Sequence, residues 1–420
     1  MSLMWLAGGI FVITYALIVT ERVPRTISAL LGGVTMILLG VLSQEEAFQA
    51  IDWNVIFLLA GMMVIANVLQ ETGLFQWIAI QSVKLGRGDP FRILIILSAV
   101  IAVSSALLDN VTIVVLAAPV ALFVAASLRV SPIPFLIAAI LASNIGGTAT
   151  LVGDPPNLLI GSAADIDFLT FAANLAPISL IILIGFFGLS WFLFKKDLRI
   201  EGSNVLDIKA LEAEALITNR PLLRKALIVM VGVIIGFLLH GALHLEPATI
   251  ALAGATVLLL WGRSDPHQIL REVEWTTLVF FIGLFITVAA IVQVGIIESV
   301  AEAALQLTGG SVPLTSMLLL WLSAFASGIV DNIPYTATLI PVVENLGRSM
   351  PIMPLWWSLA LGACLGGNIT LVGAAANVVV ANLAEKSGHP ISFKKFLGYG
   401  FVTTMMSLVL ATGYVWLRYL

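Results

Sequence analysis

The chain has 420 residues, of which 60% are hydrophobic and only 10% are Asp, Glu, Lys or Arg. Soluble domains carry roughly 25% charged residues, so a water-soluble protein of this length is excluded. The formal net charge of −4 argues against nucleic-acid binding, and the single cysteine, Cys364, excludes an internal disulfide and a multi-cysteine metal site.

The apolar residues occur in runs of about 20 rather than in alternation, which predicts an all-α polytopic membrane protein and not a β-barrel. Ten transmembrane spans are predicted at 3–20, 24–42, 53–70, 133–170, 174–194, 222–243, 246–262, 275–293, 355–384 and 397–417. The stretches 91–127 and 313–347 carry a central Asp-Asn pair and are predicted as re-entrant hairpins. The runs 133–170 and 355–384 are too long for one helix and contain glycine clusters, which is typical of broken helices.

The basic residues predict the orientation of the chain in the membrane. Ten spans place both termini on one side, and 18 of the 20 basic residues then fall on the opposite side, leaving only Arg348 and Arg418 with the termini. The positive-inside rule makes the basic side cytoplasmic. We therefore expect both termini outside a bacterial or archaeal cytoplasmic membrane. The polar segment 196–221 is predicted as a cytoplasmic linker, with a surface helix at 211–217.

The two halves of the chain repeat each other. Three landmarks recur after 222 positions and a fourth after 220 positions. They are Asp52-Trp53 with Glu274-Trp275, Asp109-Asn110 with Asp331-Asn332, Pro119-Val120 with Pro341-Val342, and Gly146–Gly153 with Gly366–Gly373. Five spans per half is an odd number, so the second copy is inverted. Inverted repeats with broken helices are characteristic of secondary transporters.

Three acidic residues, Asp109, Asp154 and Asp331, lie deep in apolar runs, where an ionisable group marks a functional site by default. Asp109 and Asp331 occupy the hairpin tips, and we predict that they couple transport to protons. Asn110 and Asn332 are expected to cap the helices that follow. Asp154 precedes two prolines, and a helix cap explains it as well as a functional role does.

The broken spans supply the other wall of the predicted site. Their glycines permit unwound backbone, and their hydroxyl and amide groups can bind a small solute. The predicted substrate-binding residues are Asn110, Asn144, Gly146, Gly147, Thr148, Thr150, Asn157, Asn332, Gly366, Gly367, Asn368, Thr370 and Asn377. Further candidates are Asp154, Thr112 and Cys364. For Cys364, a role as a small apolar packing residue is favoured over binding.

The runs 109–112, 144–157 and 331–338 resemble the ion transporter superfamily, closest to the branch of the arsenite-efflux permeases, the NhaD-type sodium/proton antiporters and the melanosomal P protein. The resemblance covers essentially the whole chain. It implies a scaffold of 1–90 and 222–312, a transport domain of 91–195 and 313–420, and elevator-like movement. Related dicarboxylate and citrate carriers have Ser-Asn-Thr at the hairpin tips, where this chain has Asp-Asn.

That difference bears on the solute. Carboxylates without an intramembrane Lys or Arg should repel a dianion and suit a proton, a cation or a neutral hydroxylated solute. Four helix N-termini are expected to converge at the same place, and their dipoles favour anions.

We therefore expect an arsenite-efflux permease that exports arsenite or antimonite in exchange for protons. The alternatives are sodium/proton antiport with Na⁺ as a coupling ion, and an anion or organic-acid carrier. A membrane enzyme is disfavoured because no Ser/His, Cys/His or metal-ligand set clusters at depth. No cofactor or metal is predicted. Membrane lipid and a small solute or ion are the expected partners; whether the chain forms a homodimer or uses a cytoplasmic ATPase stays open.

Overall fold

The computed structural model describes residues 2–20, 22–198 and 216–420, and within these the regular structure is entirely helical. The helices are α1 (Ser2–Thr20), α2 (Arg25–Leu38), α3 (Gln44–Gln49), α4 (Trp53–Glu71), α5 (Leu74–Leu85), α6 (Pro90–Leu107), α7 (Asn110–Leu128), α8 (Ile133–Gly147), α9 (Pro155–Ala163), α10 (Phe168–Phe194), α11 (Arg220–Leu243), α12 (Pro247–Gly262), α13 (Pro266–Arg271), α14 (Trp275–Gln293), α15 (Ile296–Thr308), α16 (Val312–Val330), α17 (Asn332–Leu346), α18 (Met353–Gly366), α19 (Ala375–Lys386) and α20 (Phe393–Tyr419). Residues 211–215 of the predicted surface helix at 211–217, and most of the predicted linker, lie outside the described residues.

The helix boundaries confirm the internal repeat. Helix α4 begins at Trp53 and α14 at Trp275, and α3, α5, α6 and α7 likewise begin 222 positions before α13, α15, α16 and α17. The turns also correspond, since Gly73 and Gly295 both have φ 78° and ψ 12° at the starts of α5 and α15. Equal spacing of helix starts over these five helix pairs shows that the two halves share one architecture.

The halves interlock through reciprocal helix pairs. Helix α2 packs on α14, and its counterpart α12 packs on α4. The crossings are close because glycine faces backbone there: a Cβ on Gly61 would lie 2.8 Å from Ala251 C, and one on Gly283 would lie 2.5 Å from Ala29 C. Such reciprocal contacts relate the halves by a two-fold axis, as an inverted repeat requires.

Membrane-spanning length separates the helices into two sets. Among the described residues, nine helices are long and apolar enough to cross a membrane, and α2, α8, α12 and α18 are shorter apolar helices. The predicted hairpins correspond to α6–α7 and α16–α17, and the predicted broken helices to α8–α9 and α18–α19. The first broken helix ends at Ala163 instead of continuing to 170.

Four short helices were not predicted from the sequence. Helices α3 and α13 have only six residues each, too few for a periodic apolar pattern to be recognised. Helices α5 and α15 follow α4 and α14 directly and lead into the hairpins. They position the hairpins beside the long helices of their own half.

Candidate functional site

Each hairpin tip is joined to a break between two helices. The backbone N–H of Asn110 donates to Gly153 O at 3.1 Å, and the backbone N–H of Asn332 donates to Gly373 O at 3.1 Å. The tip of hairpin α6–α7 therefore meets the α8–α9 break, and the tip of α16–α17 meets the α18–α19 break. The structure brings the predicted tips and breaks together in pairs.

The glycines at the breaks in α8–α9 and α18–α19 are required because the backbone of each broken helix packs closely against its hairpin. A Cβ on Gly153 would lie 2.6 Å from both Gly147 O and Ser105 O. A Cβ on Gly146 would overlap the backbone of Ala102, and one on Gly366 would overlap that of Ala324, the corresponding residue of the second half. These glycines let each broken helix approach its hairpin, which accounts for them without a bound ligand.

Four of the predicted binding residues hold the broken helices in shape. Thr150 Oγ1 donates to Ala106 O and Thr370 Oγ1 to Gly328 O, both at 2.5 Å. The amide of Asn157 donates to Gly147 O at 3.1 Å and Thr150 O at 2.9 Å. Asn377 donates to Gly367 O at 2.7 Å and Thr370 O at 2.8 Å. Their donor groups are engaged within the protein, so any solute meets mainly their acceptor oxygens.

A buried polar cluster joins the two halves at the centre. Asn144 Nδ2 donates to Asn368 Oδ1 at 2.9 Å and to Asn377 Oδ1 at 3.0 Å, across the repeat. Asn110 Nδ2 donates to Asn144 Oδ1 at 3.1 Å, and Thr148 Oγ1 donates to Asn144 O at 2.8 Å. All of these side chains are at most 2% exposed. These five predicted amide and hydroxyl residues therefore converge on one site.

The cluster departs from the repeat at three positions. Asn144 corresponds to Cys364, Thr148 to Asn368, and Asp154 to Ala374, each 220 positions apart. Cys364 Sγ donates to Asn157 Oδ1 at 3.1 Å, and this bond mirrors the one from Asn144 to Asn377. The scaffolding bonds are symmetric, whereas the thiol and the deep carboxylate each occur in one half only.

Asp154 is not a helix cap, contrary to one reading of the sequence. It holds the N-cap position of α9, but its side chain makes no capping hydrogen bond. Instead, Asn332 Nδ2 donates to both carboxylate oxygens at 3.2 Å. The carboxylate is 0% exposed, and its donor Asn332 is an uncharged amide.

The hairpin tips are capped by their aspartates, and the expectation that Asn110 and Asn332 cap them is wrong. Asp109 Oδ1 accepts from Thr112 N at 2.9 Å, and its other oxygen bonds to the Thr112 hydroxyl. Asp331 Oδ1 accepts from Ile333 N at 3.0 Å. Asp and Asn cap helices about equally well, and a carboxylate at this position also interacts favourably with the helix dipole.

Asp331 has two features that Asp109 lacks. Its backbone φ is +92°, whereas φ of Asp109 is −65°. Positive φ strains a residue with a Cβ by about 1–3 kcal/mol. Asp331 Oδ2 also lies 3.2 Å from Arg25 Nη1, so an arginine does reach the site, contrary to the sequence-based expectation. Arg25 starts α2, and its position at a predicted membrane edge concealed this contact.

Asn110 leaves one acceptor at the centre unused. Its Oδ1 atom is buried and has no hydrogen-bond partner among the residues that the structure describes, although its Nδ2 atom is bonded to Asn144. A buried unpaired acceptor costs about 1–3 kcal/mol relative to a paired one. A proton donor or cation bound beside Asp154 would remove this cost.

The chain matches a family model described as citrate transporter (CitMHS) over residues 15–362. The chain belongs to the CitMHS family. An uncharacterized transporter of Mycobacterium tuberculosis is 46% identical over 423 residues, covering 99% of this chain and 98% of the relative. The 46 kDa membrane protein of Mycobacterium leprae is 44% identical over 423 residues, covering 99% of each. This CitMHS protein is therefore a membrane transporter. Its relatives are named transporters, in agreement with the prediction from the sequence that the chain is not an enzyme.

The predicted likeness to the P protein is confirmed. The human P protein is 33% identical over 497 residues, which cover 98% of the CitMHS protein but 59% of the P protein. A solved structure, the YdaH transporter of Alcanivorax borkumensis, matches with a TM-score of 0.56 and 16% identity over 85% of this chain and 84% of that one. At that identity the match shows a common fold only.

The transporter has two cavities lined by corresponding residues. The first, of about 250 Å³, contains Met63, Asn67, Gln70, Val115 and Glu274; the second, of about 370 Å³, contains Phe285, Ala289, Val292, Ala337 and Asp52. Each residue of the first set is 222 positions from its counterpart, so the two-fold relation places the cavities on opposite sides of the centre. The first also includes Thr112, the partner of Asp109. Paired cavities of this kind suit access from either side.

Proposed function

We propose that this CitMHS protein is a proton-coupled secondary transporter that exports a small uncharged hydroxylated solute. Arsenous and antimonous acid, the uncharged forms of arsenite and antimonite, are its leading substrates. The observation that carries the proposal is Asp154, a fully buried carboxylate at the junction of the two halves. A buried carboxylate beside uncharged donors is costly unless it binds a proton or a cation.

The proton is assigned to Asp154 in preference to Asp109 and Asp331, which the sequence favoured. Asp109 accepts from a helix N-terminal N–H, and Asp331 both caps a helix and pairs with Arg25. A helix N-terminus and an adjacent guanidinium each stabilise the ionised form of a carboxylate, whereas the donor bonded to Asp154 is the neutral side-chain amide of Asn332. Asp109 and Asp331 then hold the hairpin tips, and Asp154 takes up and releases the proton.

An uncharged solute fits the charge at the centre. Two carboxylates lie at the tip of hairpin α16–α17: Asp154 accepts from Asn332 at the centre, and Asp331 pairs with Arg25 at the other end of the tip. The helix N-termini that could attract an anion are partly occupied, because α7 and α17 are already capped by Asp109 and Asp331. Amide and hydroxyl groups from Asn144 and its neighbours can exchange hydrogen bonds with a hydroxylated solute. Citrate, named in the description of the family, would bring up to three negative charges into this site.

Sodium/proton antiport is the second candidate. Asn110, whose Oδ1 atom has no partner among the described residues, donates its backbone N–H to Gly153 O at 3.1 Å, so its acceptor oxygen and the Asp154 carboxylate belong to the same part of the centre. Hard monovalent cations bind to such oxygen sets, and Na⁺ and a proton would compete for the same carboxylate. In this alternative the solute is itself the cation.

Proteoliposomes distinguish these candidates. The purified protein is reconstituted, and uptake of arsenite, Na⁺ and citrate is measured with and without an imposed pH gradient. We expect arsenite flux that rises with the gradient and falls when a protonophore dissipates it. Arsenite flux that ignores the gradient would remove proton coupling, whereas Na⁺ or citrate flux without arsenite flux would replace the proposed solute.

Replacing the cysteine tests how the metalloid is held. One thiol cannot supply the three thiolate bonds that trap trivalent arsenic, and Cys364 is fully buried among packed side chains. The Cys364→Ala variant is expected to retain arsenite transport within about threefold, because a small buried cysteine acts mainly as an apolar packing residue. Complete loss of arsenite uptake in a correctly folded variant would show that a sulfur–arsenic bond is required.

A further inference from the structure

Hairpin α16–α17 is bound to the N-terminal helices by polar contacts. Arg25 Nη1 of α2 lies 3.2 Å from Asp331 Oδ2, with the side chains 27% and 12% exposed. Tyr15 of α1 donates from its hydroxyl to Pro334 O at 2.8 Å, and the same hydroxyl lies 2.5 Å from Thr338 Oγ1. Two successive helices of one predicted domain thus contact the hairpin of the other.

The Arg25 side chain is fixed from both sides. Its guanidinium carbon lies 5.7 Å from the centre of the Phe280 ring of α14, and its Nη1 atom faces Asp331. A cation stacked on an aromatic ring and paired with a carboxylate loses little freedom on forming the pair. The pair is therefore stronger than a typical exposed salt bridge.

Hairpin α6–α7 has no charged residue at the position equivalent to Arg25. The residue that corresponds to Arg25 in the second half is Pro247, and Tyr15 corresponds to Phe237. Helix α12 starts at Pro247 as α2 starts at Arg25, so the comparison joins equivalent positions. The ion pair between Arg25 and a hairpin tip is therefore not part of the repeat, because the other half lacks an arginine at the equivalent position.

The same tip reaches the central carboxylate. Asn332, next to Asp331, donates to both Asp154 oxygens at 3.2 Å. The strained φ of +92° at Asp331 turns its side chain to Arg25 while Asn332 points to the centre. Two adjacent residues of the tip thus make both contacts: Asp331 pairs with Arg25 of α2, and Asn332 bonds to Asp154.

We propose that Arg25 is a positioning residue for transport, and that its ion pair with Asp331 holds hairpin α16–α17 over the central site and must break when the hairpin moves. In this position the tip contacts Asp154 through Asn332, and Cys364 is bonded to Asn157 of α9, one turn from Asp154. This inference does not depend on the identity of the solute or of the coupling ion. It concerns how this half of the transporter opens.

The native cysteine provides a direct readout. Cys364 is the only cysteine and is 0% exposed, so N-ethylmaleimide reacts with it only in openings that uncover it. In reconstituted full-length protein, Arg25→Gln is expected to raise the labelling rate roughly tenfold, equivalent to about 1.4 kcal/mol. Arg25→Lys, which retains the charge, should restore a rate within about threefold of wild type.

A double-mutant cycle tests the pair itself. Asp331→Asn alone should raise the labelling rate as Arg25→Gln does, and the double variant should label no faster than either single one, because both changes break the same contact. Tyr15→Phe leaves both charges in place and should give a smaller increase. The matched control is Lys395→Gln, which breaks the partly exposed Lys395–Asp197 pair of 3.7 Å and should leave labelling unchanged.

Two outcomes would overturn the inference. The first is a labelling rate within twofold of wild type for folded Arg25→Gln and Tyr15→Phe. The second is multiplied effects in the double variant, which would show that Arg25 and Asp331 act separately. Loss of arsenite flux in proteoliposomes with a normal labelling response would reject the proposed solute and leave this inference standing.

Discussion

The Asp154→Asn variant is expected to lose more than about 90% of pH-gradient-driven solute uptake. Asparagine retains the size and one oxygen that can accept from Asn332, but it cannot bind and release a proton. Loss of a tenfold factor corresponds to about 1.4 kcal/mol of transition-state stabilisation. The measurement is uptake into proteoliposomes at several imposed gradients. The residual flux should no longer depend on the gradient.

Two comparisons make this result specific. Asp89 caps α6 through Arg92 N at 2.9 Å, outside the centre, and Asp89→Asn should transport normally because asparagine caps equally well. Asp109→Asn should reduce transport less than Asp154→Asn and keep the gradient dependence. If Asp154→Asn kept its dependence on the pH gradient and Asp109→Asn lost it, Asp109 at the hairpin tip would be the residue that binds the coupling proton.

The Gly146→Ala variant is expected to lose several degrees of thermal stability. A Cβ at Gly146 would overlap the backbone of Ala102, which cannot rotate away as a side chain can. Inserting atoms into a close-packed core costs about 1–3 kcal/mol or more. The unfolding midpoint of the purified protein in detergent measures the effect, and Gly366→Ala should act similarly against Ala324.

Gly188→Ala is the matched control. Gly188 lies inside α10, and a Cβ there would meet nothing within 4 Å. Alanine is favoured over glycine in a helix by about 1 kcal/mol, so this variant should be as stable as wild type or slightly more stable. If the unfolding midpoint of Gly146→Ala equalled that of Gly188→Ala, the close packing of α6 on α8 would be contradicted.

The architecture could be predicted because its signals are local or periodic. Runs of apolar residues identify helices, and Asp109-Asn110 and Asp331-Asn332 at equal spacing identify the two copies. The short helices α3 and α13 escaped detection because six residues carry too little pattern. The register of the repeat needed no three-dimensional information.

The site was predicted by residue type, but the partner of each side chain was not. Thr150 and Asn157 were expected to face a solute, and they donate to backbone atoms of the hairpin and the break. Asp154 has a capping position and Pro155 after it, yet it makes no cap. A hydrogen bond from another helix outcompeted the local one, and sequence spacing carries no information on such a competition.

The sequence by itself determined the membrane class, the inverted repeat and the set of polar residues at the centre, because scarce polar groups in apolar runs are informative wherever they occur. Only the tertiary structure showed that Asp154 does not cap a helix and that Asp331 pairs with Arg25. Asp154 and Asn332 are 178 positions apart, and Arg25 and Asp331 are 306 apart. Contacts at such separations are set by how the two halves interlock, and this interlocking distinguishes three carboxylates that look alike in the sequence.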